Sequence, residues 1–64
     1  MIISELSAQI ERKMKKSDSL WKSAKRLAMA GEGRHAVSVT RAAKRLDDEV
    51  AELRLKLAAS VKQD

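Results

Sequence analysis

Asp47, Asp48, Glu49 and Glu52 form the densest carboxylate group in the chain. Oxygen donors gathered like this are what a divalent cation or an acid–base pair requires. A simpler occupation is available. Lys44 and Asp48, Arg45 and Glu49, and Glu52 and Lys56 each stand four apart, the spacing at which opposite charges meet on one helix face. The sequence therefore predicts intrahelical ion pairs here and no metal site. His35 is the lone histidine and cysteine is absent, so neither a structural zinc site nor a disulfide is expected. Seven serines with one histidine give no nucleophile and base at a recognisable spacing. His35 reads as a turn residue. No catalytic residue, cofactor or small-molecule substrate is expected, and the chain reads as a non-enzyme.

The remaining chemistry is charge. Net charge is +5 over 64 residues, and it is unevenly spread. Residues 12–45 hold eleven Lys/Arg against Asp18 and Glu32, while both ends are mildly acidic. Arg12, Lys15, Lys16, Lys22 and Arg26 recur at helical spacing with Ser19 and Ser23 between them, a basic stripe about 21 Å long. Arg34, Arg41, Lys44 and Arg45 extend it toward the second half of the chain. Such a stripe suits phosphate backbones, with strongly salt-dependent affinity. It equally suits an acidic protein surface, and an ordinary solvated helix face has the same composition. No aromatic residue is free for base stacking, so contact with nucleic acid would be directed at the backbone.

These charges need a frame, and Ala36 to Leu57 supplies it. Ala36, Val39, Ala43, Leu46, Val50, Leu53 and Leu57 recur at alternating steps of three and four, the seam of a helix that packs along one edge. An earlier apolar row runs Ile3, Leu6, Ile10, Met14, Ser17, Trp21, Ala24 and Ala28, with Leu20 and Leu27 beside it. Ser4 is a candidate N-cap, though Ile2 and Ile3 fit an earlier first turn. Poor helix formers cluster at Ser17, Asp18 and Ser19, but the row keeps phase across them, which predicts one continuous helix. Gly31 and Gly33 give the only turn signal, because either can take the left-handed conformation that ends a helix. Ser38, preceded by Val37, is a candidate cap for the second helix.

The expected fold is all-α: a single helical-hairpin domain over 1–64, with helix 1 at about 3–30, a turn at about 31–35 and helix 2 at about 36–62. The short turn forces the helices antiparallel, with facing positions summing to about 65. Met14 then meets Val50, Ser17 meets Leu46 and Trp21 meets Ala43. A lone hairpin buries little, so a homodimeric four-helix bundle or docking on another protein is expected. Leu20 and Trp21 are adjacent and cannot both enter a narrow seam, while Val37 and Leu55 lie off the second helix's edge. These four are the predicted protein interface.

A DNA-binding helix-turn-helix fits poorly, because Leu27 and Met29 occupy the positions four before the glycines where a small residue is usual. The amphipathic first helix could lie on an anionic membrane, but the second helix is a better home for its apolar face. No apolar run approaches a membrane span and no signal-peptide pattern opens the chain, which predicts a cytoplasmic protein. The length and hairpin layout resemble the plasmid-encoded RNA-binding Rop family. The run Arg41-Ala-Ala-Lys44-Arg-Leu46-Asp47 after a glycine turn is similar to the small co-chaperones of type III secretion needle subunits. It is also similar to the sporulation aspartyl-phosphate phosphatase hairpins, although Lys44-Arg45 replaces their Ser-Gln, which removes the residues their chemistry needs. The leading expectation is a small regulator or adaptor that binds another macromolecule through helix faces. The alternative is a Rop-like nucleic-acid-binding regulator using the basic stripe.

Overall fold

A computed structural model describes residues 3–62. Two helices, α1 (Ile3–Met29) and α2 (Gly33–Lys62), pack against each other as a hairpin. The result is a narrow rod with extents of 51 × 14 × 12 Å. Contacts between Lys13 and Glu49, Ser17 and Asp47, and Met14 and Arg54 fix the antiparallel course, and they bracket the register expected from a short turn.

The turn is tighter than its composition suggests. Gly31 has φ +82°, a conformation that costs an L-residue roughly 1–2 kcal/mol. Its N–H donates to the Ala28 carbonyl at 3.1 Å, and the Glu32 N–H reaches back to the Leu27 carbonyl at 2.9 Å. This pair of bonds is a Schellman closure, which satisfies carbonyls that the end of α1 would otherwise leave orphaned. The Glu32 carbonyl then accepts from the Ala36 N–H at 3.0 Å, so α2 is already helical from Gly33. Three of the expected turn residues, Gly33, Arg34 and His35, therefore belong to α2. Ser38 sits inside α2 and caps nothing. Ser4 likewise lies within the first turn of α1, and Ile2 lies outside the described residues.

α2 presents the expected seam. Ala36, Ala43 and Val50 are buried, and Val39, Leu46, Leu53 and Leu57 are half-buried. α1 departs from its expected row. The residues facing α2 are Leu6, Ile10, Lys13, Ser17, Leu20, Ala24 and Leu27, whereas Met14, Trp21 and Ala28 are rotated out of the seam and exposed. Both rows have steps of three and four and share Leu6, Ile10, Ser17 and Ala24, so helical spacing alone does not separate them. Geometry favours the row centred on the partner helix, and Lys13 is admitted to it because its ammonium bonds Glu49 Oε2 at 3.0 Å across the hairpin.

α1 runs unbroken through Lys15–Ser19, as its periodicity predicts. Ser17 is 3% exposed and faces Ala43, which is fully buried. Small side chains here, with Ala24 and Ala36 nearer the turn, put little bulk between the two backbones, whereas toward the open end the buried positions hold the larger Leu6, Ile10 and Val50.

Candidate interaction faces

Successive α-helical residues lie 100° apart, so the hairpin has two broad sides flanking its seam. On one side α1 contributes Met14 and Trp21, seven apart, with Ile3 on the same edge near the open end. The indole N–H of Trp21 donates to Asp47 Oδ2 at 3.0 Å, and the Ser17 hydroxyl donates to Asp47 Oδ1. The Ala43 carbonyl is a second, longer acceptor for that hydroxyl at 3.4 Å. Asp47 thus ties α2 to two positions of α1. The Ser17 hydrogen bond, and after it that of Trp21, holds the Asp47 carboxyl below its usual range, because both donors favour the charged form. An Arg54 guanidinium nitrogen approaches the Met14 sulfur at 3.3 Å. Between these side chains lies a shallow groove of about 280 Å³ lined by Met14, Ser17, Asp18, Trp21 and Asp47.

Several large apolar side chains of the hairpin stand open to solvent. Trp21 is 41% exposed and Met14 45%, while Val37, Leu55 and Val61 are more open still, Leu55 reaching 71%. The predicted interface residues therefore separate. Trp21, Val37 and Leu55 are solvent-accessible, whereas Leu20 is half-buried in the seam between α1 and α2. Apolar spacing predicts Trp21 in the core row with Leu20 beside it, whereas in the structure Leu20 enters the seam and Trp21 stands on its flank. The indole fits the flank because its ring covers the edge of the seam while its N–H keeps the Asp47 acceptor.

The opposite side is polar. Gln9, Arg12, Lys13, Lys16 and Leu46 line a groove of about 430 Å³. Lys13 is engaged by Glu49, but Arg12 and Lys16 have no carboxylate within ion-pair distance among the described residues. The predicted basic stripe is thus uneven: Lys15 pairs with Glu11 at 3.4 Å and Lys22 with Asp18 at 3.2 Å, each one turn away. Arg26 donates to the Ser23 hydroxyl at 3.4 Å. Arg41, Lys44 and Arg45 are exposed on α2. None of the three predicted pairings Lys44–Asp48, Arg45–Glu49 and Glu52–Lys56 is made among the described residues. Glu49 turns instead to Lys13, and Asp47 to Ser17 and Trp21, because cross-hairpin partners sit directly opposite them.

Gln9 and Lys13 went unnoticed in the sequence, although Lys13 falls on a row of alternating three- and four-residue steps with Leu6, Ile10 and Ser17. Among the described residues no three His, Asp or Glu side chains converge as a metal site would require, and no helix is long and apolar enough to cross a membrane. No protein family, curated protein or solved structure matches the chain, so its own residues carry the functional argument.

Proposed function

We propose that this protein is a small non-enzymatic interaction module, a regulator or adaptor whose helix faces bind another macromolecule, and that it pairs with itself into a four-helix bundle. One observation carries the reading: Trp21, the only aromatic residue, stands half-exposed beside Met14 on the outside of a hairpin. The hairpin's buried apolar core is no more than Leu6, Ile10, Val50 and three alanines among the described residues. Large apolar side chains left outside so thin a core mark a surface made to be covered. Buried aromatics of this kind tend to dominate interface energetics. The basic side, left uncovered, would steer the assembly toward an acidic partner.

The test is the mass of the purified protein by light scattering across a concentration series, for the native chain and for Trp21→Ala. A dimer is expected for the native chain, with dissociation made at least tenfold easier by the substitution while far-UV circular dichroism stays helical. Unchanged assembly in Trp21→Ala would remove the indole as an anchor.

A second reading has its own support. Arg12, Lys16, Arg41, Lys44 and Arg45 are exposed and make no ion pair among the described residues, leaving them free for phosphates. If this reading holds, double-stranded nucleic acid binds with affinity that falls steeply with salt. Reversing Arg12 and Lys16 to Glu then abolishes that binding with helicity intact.

A further inference from the structure

The hairpin carries its charge at one end. Residues 19–45, which form the loop half, hold seven Lys/Arg and one Glu, a net +6, whereas the rest of the chain holds seven basic and eight acidic side chains, a net −1. Two such rods laid side by side with their loops together would bring two +6 clusters into contact. Laid in opposite directions, the centres of the two clusters lie roughly 20 Å apart along the rods, more than twice the ~8 Å Debye length at physiological salt.

We infer that a second copy of this chain docks head to tail across the face of Met14 and Trp21, with a two-fold axis crossing α1 between Ser17 and Asp18. The inference rests on the self-association proposed above and adds its face and direction. A two-fold contact is isologous, so each position meets the one equally far beyond the axis. Met14 and Trp21 are equidistant from that point, so each indole comes level with the second copy's Met14 thioether, a contact that sulfur and an aromatic ring favour. Lys25 comes within one residue of level with the second copy's Glu11. Loops together, the same face would set Trp21 on Trp21 and Lys25 beside Lys25.

Overlap and size agree with this placement. The axis falls within two residues of the middle of α1, so the rods overlap over nearly their full length. The rod's 51 × 14 Å side offers roughly 700 Å² per copy, near the ~800 Å² per partner of a standard interface. On α2 the face is edged by Val37, Lys44, Ala51 and Ala58, seven apart. The small Ala51 and Ala58 leave room for a neighbouring helix.

The experiment uses the absence of native cysteine. Single thiols are introduced as Ala30→Cys at the loop end and, separately, Ser4→Cys at the open end, both exposed positions. Each is spin-labelled, and label-to-label distances are read by pulsed EPR while light scattering gives the mass of the same samples. Head-to-tail docking gives a dimer mass, about 40 Å between Ala30 labels, about 40 Å between Ser4 labels, and about 20 Å or less when the two labelled proteins are mixed. A dimer whose Ala30 labels lie within about 20 Å of each other overturns the head-to-tail direction and leaves self-association standing. A monomer mass at every concentration overturns both.

Discussion

Asp47 concentrates more of the hairpin's specificity than any other side chain, since one carboxylate answers Ser17 and Trp21 from the opposite helix. Its folded pKa lies below the ordinary value of 3.8, chiefly through the Ser17 hydrogen bond and then that of Trp21. The sign follows from linkage: the unfolded chain binds the proton more readily. The stability contributed is therefore fully present above about pH 3.8 and is lost as pH falls through the lower folded value. Asp47→Asn should blunt that part of the acid transition, shown by a shallower loss of helical circular dichroism below pH 4 than in the native chain. An unchanged acid limb would mean that the two hydrogen bonds contribute nothing to folding. Nothing in the sequence singled out Asp47 from its neighbours Asp48 and Glu49. The helical positions of all three were legible, but which one faced a hydroxyl and an indole depended on the rotation of α1.

At the scale of the elements, the two glycines look alike in sequence and are opposite in structure. Gly31 sits at φ +82°, whereas Gly33 has no left-handed φ and opens α2; a Cβ at either would meet nothing within 4 Å. Gly31→Ala should accordingly destabilise the hairpin by about 1–2 kcal/mol through backbone strain alone. Gly33→Ala should stabilise it by up to about 1 kcal/mol. Thermal melts of the two variants check both, and equal shifts would contradict the Schellman closure. The existence of both helices and the turn between them was readable from periodicity and glycine placement. α2's seam was readable residue by residue because its apolar positions form a single unbroken row. α1 was not, because Met14 is far more apolar than Lys13 and Trp21 is larger than Leu20, so apolarity and size both point to the wrong row. The structure follows the axis of α2 instead, with Lys13 tolerated where Glu49 can reach it. α2's early start was hidden because Glu32 joins the helices with its backbone, not with a typical capping side chain.

The whole molecule is a rod whose buried side chains are small toward the loop, at Ala24, Ala36 and Ala43, and larger toward the open end, at Leu6, Ile10 and Val50, with a strongly basic loop half. A rod of this thinness that covers its flank with a second copy should melt at a temperature that rises with protein concentration, since association stabilises the folded state by mass action. Melting followed over a hundredfold concentration range tests this, and a constant midpoint would count against assembly. Trp21 then has a use beyond packing. The chain contains no tyrosine or phenylalanine, so all of its near-ultraviolet emission originates from one indole on the face where docking is proposed. Any molecule that covers that face displaces water from the ring and shifts its emission to shorter wavelength. Occupants of the opposite basic groove leave the spectrum alone, so the unlabelled protein reports by its own fluorescence which of its two sides a partner has taken.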